Sequence, residues 1–227
     1  MTSIPVVAID GPAASGKGAV AQAVAERLGF NYLDSGAIYR AAALAVSIEG
    51  YDIDSPDLSE SDVARTAANM HLSFRSGDVW ISNLNVTDSI RSEECSKNAS
   101  KIAVLPRLRH ALLELQHSFR RAPGLVAEGR DMGTVVFPDA ELKIFLTASA
   151  QVRAERRHKQ LMGKGINATI PDLLYEIDAR DARDLGRMVA PLRVSEDTIT
   201  IDTSALDLAQ VIEAVLKLYK SNASKKE

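Results

Sequence analysis

The fold of this chain is decided by one stretch near its start, Val6-Val7-Ala8-Ile9-Asp10-Gly11-Pro12-Ala13-Ala14-Ser15-Gly16-Lys17-Gly18-Ala19. The four apolar residues at its start predict a buried strand, and the run from Ala19 to Leu28 is typical of a helix. Between them stands Gly11-x-x-x-x-Gly16-Lys17, the phosphate-loop pattern, in which backbone N–H groups and a helix N-terminus surround phosphate oxygens. A plain glycine-rich turn is the alternative, but strand, loop and helix come in the order that phosphate binding requires.

The end of this loop departs from the usual pattern. Lys17 is expected to reach the β- and γ-phosphates of a bound nucleotide. Gly18 follows the lysine in place of Ser or Thr, and Ala19 comes next, so the loop offers no hydroxyl to Mg²⁺ beside the lysine.

Composition bounds the class of protein. At 227 residues and 46% hydrophobic, the chain is long enough for one α/β domain with an insertion. The net charge of −3 gives no global attraction to nucleic acid or membrane, and no apolar run approaches the ~18 residues of a membrane span. The first strand follows the N-terminus too closely for a signal peptide, so a cytoplasmic location is expected. The single cysteine, Cys95, is expected to pack and not to react.

Strand and helix patterns alternate along most of the chain, which predicts an α/β fold with a parallel sheet and helices on both faces. The helix predicted over 35–48 has Asp34 or Ser35 as its N-cap. Alternating residues at 71–90 predict a hairpin with a third short strand, a small inserted β lobe. Two helices follow at about 92–104 and 107–121, with Pro106 between them. Ligands of such a sheet bind at the carboxyl ends of its strands.

A phosphate loop alone is shared by several classes of enzyme. No guanine-reading Asn-Lys-x-Asp occurs, which excludes the usual GTPases. Glu128 ends a predicted strand, so an ATPase in which an acidic residue holds Mg²⁺ stays open at this point.

The placement of arginine indicates local phosphate sites. The chain has 17 arginines against 10 lysines, and the planar guanidinium suits bidentate binding of phosphate. Arg180, Asp184 and Arg187 fall with Arg183 on one helical face, whereas Asp181 lies off it. A solvated, salt-bridged helix is the alternative. Arg156 and Arg157, beside a flexible Gly-flanked segment, suit donors that neutralise a migrating phosphoryl group.

The many arginines, together with the lack of an obvious histidine-centred base, favour a phosphate as the acceptor. A hydroxyl acceptor needs a base to take its proton, whereas a phosphate with a second pKa of about 6 is already mostly dianionic near neutral pH. The four histidines, His71, His110, His117 and His158, are scattered and are interpreted as structural.

The sequence resembles the bacterial-type cytidylate kinases, a family of nucleoside monophosphate kinases, over nearly its whole length. The resemblance is carried by four stretches: Ile9-Asp10-Gly11-Pro12-Ala13-Ala14-Ser15-Gly16-Lys17-Gly18, Leu33-Asp34-Ser35-Gly36-Ala37-Ile38-Tyr39-Arg40, Glu128-Gly129-Arg130-Asp131-Met132-Gly133-Thr134-Val135-Val136-Phe137-Pro138, and Arg180-Asp181-x-Arg183-Asp184 with Arg187 and Ala190-Pro191-Leu192. It implies a P-loop kinase fold in a single domain over 1–227. It also implies an inserted monophosphate-binding lobe at about 62–100. The flexible Gly-flanked segment between the helices predicted over 150–161 and 171–187 predicts a lid at about 157–170, and the end of the chain predicts a flexible tail at 221–227.

The resemblance also implies an activity and residue roles. It implies phosphorylation of CMP and dCMP by ATP with Mg²⁺. The net charge of −3 predicts no nucleic-acid or membrane partner, and a monomer is expected. The implied donor residues are Gly11, Pro12, Ala13, Ala14, Ser15, Gly16, Lys17, Gly18 and Ala19, and the implied catalytic residues are Lys17, Arg130, Arg156 and Arg157. The implied acceptor residues are Ser100, Arg109 and Asp131 for cytosine, Arg40, Arg130 and Arg187 for the monophosphate, Arg180 and Asp184 for the ribose, and Asp34 and Ser35 for the shape of the pocket. The family already has glycine after the lysine, so the departure is Ala19, where relatives commonly have Thr.

Two other functions stay open from the sequence. One is a kinase of this fold for a small hydroxylated acceptor such as shikimate or gluconate. The other is a nucleotide-binding regulator without catalysis, for which Ala19 is the one indication.

Overall fold

The computed structural model describes residues 4–75 and 77–223. Strands and α-helices alternate along most of this length, as the sequence predicts. In chain order they are β1 (Val6–Asp10), α1 (Lys17–Leu28), β2 (Asn31–Asp34), α2 (Ser35–Ile48), α3 (Glu60–Asn69), β3 (Leu72–Arg75), β4 (Asp78–Ile81), β5 (Leu84–Asn85), α4 (Glu93–Ile102), α5 (Pro106–His117), β6 (Leu125–Gly129), β7 (Leu142–Thr147), α6 (Ala150–Met162), α7 (Ile170–Gly186), β8 (Ile199–Asp202) and α8 (Leu208–Ala223).

The chain divides into two compact units, residues 1–33 with 119–227 and residues 34–118. The first unit contains the central sheet, whose strand order is β2-β6-β1-β7-β8. β1 runs parallel to both β6 and β7, and β7 runs parallel to β8. The parallel α/β class predicted from the sequence is therefore confirmed.

The core of the first unit lies between this sheet and two helices. β1 is buried along its whole length, which explains its continuous apolar run. Val20 and Val24 of α1 pack with Val211 and Val215 of α8 against the apolar side chains of β1, β6 and β7. This packing fixes the start of α1, and with it the loop that joins β1 to α1.

The second unit combines helices with the predicted small lobe. β3, β4 and β5 form a three-stranded antiparallel sheet, with Leu72 opposite Ile81 and Trp80 opposite Asn85. Cys95 is buried in the apolar cluster that this lobe shares with α2 and α4. The hairpin with a short third strand, predicted from the alternating residues, is confirmed.

One predicted boundary is wrong. Pro106 does not separate two helices but is the first residue of α5, which ends at His117 and not near 121. A proline suits this position because the first turn of a helix has no use for the N–H that proline lacks. The bounds of the lobe, lid and single domain remain predictions. Of the predicted tail, residues 221–223 belong to α8 and residues 224–227 lie outside the described part.

Candidate active site

The phosphate loop connects the end of β1 to the start of α1. Gly11 has a φ of +156°, and a Cβ at this position would lie 2.1 Å from the carbonyl oxygen of Leu146 on β7. Only glycine fits so close to a neighbouring strand. Lys17 Nζ donates to the carbonyl oxygen of Pro12 at 3.2 Å, so the lysine side chain folds back over the loop. A compact cradle with its lysine at the open face is the geometry that binds phosphates.

The structure gives the reason for Gly18. A Cβ on Gly18 would lie 2.9 Å from Glu128 Oε1, so the carboxylate occupies the space that a serine or threonine would need. Ala19 is exposed. Ser15 carries a hydroxyl that is buried and has no hydrogen-bond partner among the described residues. The loop thus holds one buried hydroxyl before Lys17, at position 15.

Glu128 is the residue before the last of β6 and lies beside the first turn of α1. Its side chain is 6% exposed, and Tyr32 Oη donates to Glu128 Oε1 at 2.8 Å. Among residues 4–75 and 77–223, no group of three or more His, Cys, Asp or Glu side chains is arranged to hold a metal ion.

Asp10, the last residue of β1, belongs to the site although sequence reasoning gave it no role. Its Oδ1 accepts from Met132 N at 2.8 Å and its Oδ2 from Gly133 N at 2.9 Å. Burial raises the pKa of Asp10 to about 6 against the lowering effect of these two hydrogen bonds, with a further raise from Asp131 and a lowering by Lys17. The sequence signal that could have identified Asp10 is its position as a charged residue at the end of an otherwise apolar strand.

Stability should respond to pH through this residue. The pKa of Asp10 is about 6 in the fold, against an ordinary value of 3.8 for an aspartate. The folded state therefore holds the proton more tightly, so the stabilisation is full below about pH 4 and is lost as pH rises through about 6. The free energy of unfolding of wild type minus that of Asp10→Asn should fall by about 2 kcal/mol between about pH 4 and pH 8 in urea titrations. Asp57→Asn, the same change at an exposed residue, gives the control. A difference independent of pH would contradict the assignment.

A buried carboxylate organises the arginines of the first unit. Asp184 is fully buried; its Oδ2 accepts from Arg130 Nε at 2.7 Å, and its Oδ1 accepts from Arg187 Nη2. Burial alone would raise the pKa of Asp184, but the charges of Arg130 and Arg187, the Arg130 hydrogen bond and the charge of Arg180 together hold it below its ordinary value. Arg183, grouped with these residues by helical spacing, is instead exposed. The result is a set of arginines with fixed orientation, which suits an anion.

Two arginines of α6 bind the phosphate loop itself. Arg156 donates through Nη1 to the carbonyl oxygen of Ser15 at 3.3 Å and to Thr203 Oγ1 at 2.9 Å. Arg153 donates to the carbonyl oxygen of Ala13 at 3.3 Å and to Asp181 Oδ2 at 2.6 Å. Thr203 and Asp181 were missed by the sequence reasoning, because their partners are distant along the chain. These contacts place α6 directly on the loop.

Arg157 differs from its neighbour on α6. Its Nη1 donates to Gln160 Oε1 at 2.7 Å, one turn further along the same helix. The structure thus engages the two adjacent arginines differently, with the Arg156 head group on the loop and the Arg157 head group beside Gln160.

In the second unit, the predicted acceptor residues cluster at the start of α2. Asp34 is the N-cap, because its Oδ1 accepts from Ala37 N at 2.8 Å, while its Oδ2 accepts from Arg40 Nη2 at 2.9 Å. Ser35 Oγ donates to Gln116 Oε1 at 2.8 Å. Asp34 thus fixes both the helix start and the arginine nearly two turns further on.

The remaining predicted residues of this unit are buried polar groups. Ser100 is 4% exposed, and its Oγ has no hydrogen-bond partner among the described residues. Arg109 is 9% exposed, donates to the carbonyl oxygen of Ala103 at 3.2 Å, and lies 5.8 Å from the ring centre of Tyr39. A buried hydroxyl without a partner in the protein is suited to a ligand that supplies one.

The described residues contain no helix with the length and apolarity needed to cross a membrane.

Comparison with known proteins gives one consistent result. A family model described as cytidylate kinase matches residues 7–221. The chain is 50% identical over 217 residues to a cytidylate kinase of Nitrosomonas europaea, covering 96% of each chain. It is 51% identical over 219 residues to a cytidylate kinase of Cupriavidus pinatubonensis, covering 96% of this chain and 97% of that one. The solved structure of a gluconokinase from Sinorhizobium meliloti superposes over the full length of both chains with a TM-score of 0.50 and 15% identity, which is similarity of fold.

Proposed function

Because the chain belongs to the cytidylate kinase family, we propose that it transfers the γ-phosphoryl group of ATP to CMP, and also to dCMP. A nucleoside monophosphate kinase needs a donor cradle and a set of cations for the acceptor phosphate. The observation that carries the proposal is the pair Arg130 and Arg187, oriented by the buried Asp184 in the same unit as the phosphate loop. The hydroxyl-acceptor kinase and the inactive regulator are not favoured, since the relatives that cover nearly the whole chain are cytidylate kinases.

For the acceptor base, we assign Ser100, Arg109 and Asp131 to cytosine. A carboxylate accepts from the exocyclic amine of cytosine, whereas uracil presents a carbonyl there. An arginine donates to the ring acceptors of cytosine. The burial of all three side chains supports this assignment, because a buried polar group that is left unpaired by the wrong base makes discrimination strong.

For the rest of the acceptor, Arg40, Arg130 and Arg187 are assigned to the monophosphate, and Arg180 and Asp184 to the ribose. The ion pairs that orient Arg40, Arg130 and Arg187 support their role, since a guanidinium held in place loses less entropy when it binds phosphate. Asp34 and Ser35 then shape the pocket by fixing Arg40 and Gln116.

For the donor, the backbone of residues 11–19 is assigned to the phosphates of ATP and Lys17 to the β- and γ-phosphates. Arg130, Arg156 and Arg157 are assigned to the charge that develops on the migrating group. The hydrogen bond from Arg156 to the carbonyl oxygen of Ser15 supports a role beside the loop and adds a structural one, because the same guanidinium holds the loop in shape.

A kinase that uses ATP works with a divalent cation, and we propose that the ion is Mg²⁺. Mg²⁺ keeps several waters and binds through one or two carboxylates together with substrate phosphates. The residues present fit that ion: Glu128 provides one carboxylate beside the first turn of α1, and Ser15 provides a hydroxyl. The ion would neutralise charge on the phosphates, while Glu128 and bound water would hold it.

Restoring a hydroxyl at position 19 should strengthen binding of the Mg²⁺–ATP complex. Ala19 is exposed, so a threonine there adds its side chain at the surface and not in the core. We expect Ala19→Thr to lower KM for ATP by about threefold, the equivalent of roughly one neutral hydrogen bond, with the largest effect at limiting Mg²⁺. Ala19→Val has the same shape without the hydroxyl and is the matched control. An equal effect of both variants would exclude the hydroxyl as the cause.

We further propose a monomer in the cytoplasm, the compartment that holds ATP and nucleoside monophosphates, with no nucleic-acid or membrane partner. The net charge of −3 supports the absence of a polyanion partner.

The test is a coupled assay of ADP release with CMP, dCMP, UMP, AMP and GMP as acceptors and ATP with Mg²⁺ as donor. We expect turnover of CMP and dCMP and much poorer turnover of UMP. Equal turnover of UMP and CMP would contradict the assignment of the base pocket. Turnover of gluconate or shikimate, with none of the nucleotides, would favour the hydroxyl-acceptor alternative.

A further inference from the structure

The carboxylate of Asp10 lies at the point where the donor loop and the Arg130–Asp131 segment meet in one unit. Asp10 ends β1 and is followed directly by Gly11 of the phosphate loop. Its two oxygens accept from the backbone N–H groups of Met132 and Gly133, the two residues that follow Asp131. One side chain thus joins two segments that are more than a hundred residues apart in sequence.

The backbone around Asp131 is held from both sides. The carbonyl oxygen of Asp131 accepts from Val135 N at 2.9 Å and from Val136 N at 3.1 Å, at the π-helical turn Met132–Val136. The next two amides are bound by Asp10. Single π-helical turns are rare and occur often at functional sites. Without the carboxylate, two buried N–H groups at the start of this turn would lose their acceptor.

The choice of a carboxylate at this position is costly for the fold. Asp10 is 5% exposed, and burial raises its pKa to about 6, so ionisation of this side chain is unfavourable there. An ionised carboxylate nevertheless provides two acceptors for two donors, which neither asparagine nor an apolar residue does. A buried carboxylate that is unfavourable for the fold, yet provides one acceptor for each of two backbone donors, indicates that the position of the loop carrying those donors matters.

We propose that Asp10 is a positioning residue that holds the backbone after Asp131, and thereby fixes Arg130 and Asp131 for the acceptor nucleotide. This proposal rests on the proposed function, because the acceptor is taken to be CMP. Asp10 acts through the two amides and does not contact the substrate.

The kinetic test compares wild type with Asp10→Asn. The amide has one oxygen and one NH₂ group, so one of the two backbone donors loses its acceptor and faces another donor. We expect KM for CMP to rise by about tenfold, the loss of one charge-assisted hydrogen bond, while KM for ATP changes by less than about twofold. As KM for CMP rises, the discrimination between CMP and UMP should fall. If KM for CMP and the discrimination stay at the wild-type values, the proposal is overturned.

Asp139→Asn is the matched control. Asp139 also accepts two hydrogen bonds, both from Arg120 Nη1 at 3.0 and 2.8 Å, and Arg120 in turn binds the carbonyl oxygen of Ile4 before β1. The same chemical change is therefore made at the amino end of the sheet, where wild-type kinetics are expected. Asp10→Ser, which keeps one acceptor, replaces Asp10→Asn if thermal melting shows that the asparagine variant is unfolded.

A double-mutant cycle separates positioning from a general loss of structure. If Asp10 acts through Asp131, the variant that combines Asp10→Asn with Asp131→Asn should discriminate CMP from UMP no worse than Asp131→Asn alone. Additive losses would show that Asp10 does not act through Asp131, and would overturn the proposal.

A measurement without substrate keeps this proposal distinct from the proposed function. Hydrogen exchange of the Met132 and Gly133 amides should accelerate by about tenfold or more in Asp10→Asn, with unchanged exchange in the ladder of β1 with β7. Unchanged exchange at both amides would overturn the positioning role even in an active enzyme. A wild-type protein that does not phosphorylate CMP would overturn the proposed function, and the exchange result would still decide whether Asp10 holds the loop.

Discussion

Replacing Lys17 with alanine is expected to lower kcat by about a thousandfold and to leave the affinity for CMP within about twofold of wild type. The lysine belongs to the donor cradle, where its Nζ donates to the carbonyl oxygen of Pro12 at 3.2 Å. Its charge is needed where negative charge develops between the donor phosphates and the acceptor. Single-turnover kinetics measure the first effect, and calorimetric titration of CMP into the free enzyme measures the second.

Lys217→Ala serves as the control, since Lys217 is an exposed lysine on α8 and its removal should change neither quantity. If CMP affinity falls as far as turnover in Lys17→Ala, the lysine serves the acceptor as well, and the division between donor and acceptor residues is wrong.

The second large effect is expected for Asp131→Asn, because Asp131 has two competing roles. As a reader of the base, it accepts from the cytosine amine. As a general base, it would take a proton from an acceptor hydroxyl. A dianionic phosphate has no proton to lose, which favours the first role. The amide keeps the shape and also donates to the carbonyl of uracil. We therefore expect KM for CMP to rise and the preference for CMP over UMP to fall by roughly a hundredfold.

The measurement is kcat and KM for CMP and UMP in wild type and variant at saturating ATP and Mg²⁺. Asp139→Asn controls for the loss of a carboxylate elsewhere in the same unit. An equal collapse of kcat for both nucleotides, with their KM ratio fixed, would identify Asp131 as a base and would contradict the placement of cytosine.

Local signals in the sequence were sufficient for the fold. The apolar run of β1, the glycines before α1 and the Asp34 cap each act within a few residues, so periodicity and capping rules detect them. The same holds for the hairpin of β3 and β4, whose alternation is visible in the chain.

Long-range contacts in the site escaped the same reasoning. Asp10 meets its amide partners 122 and 123 residues away, and Arg156 meets Thr203 47 residues away. No spacing rule connects such positions. Arg183 shows a second limit, because helical spacing grouped it with Asp184, yet adjacent residues on a helix point about 100° apart, and here Asp184 is buried while Arg183 is exposed.

The contact between Gly18 and Glu128 limits how this loop can change. Since a Cβ at position 18 would lie 2.9 Å from Glu128 Oε1, a hydroxyl-bearing residue after the lysine and a glutamate at the end of β6 compete for one space. The two positions form a coupled pair, because a side chain at 18 has to displace the Glu128 carboxylate, and shortening residue 128, for example to aspartate, removes that contact. In a combinatorial library over both positions, active clones should therefore combine glycine with glutamate or serine with aspartate, and serine with glutamate should be depleted. An engineer who wishes to place a hydroxyl directly after the lysine has to change β6 together with the loop.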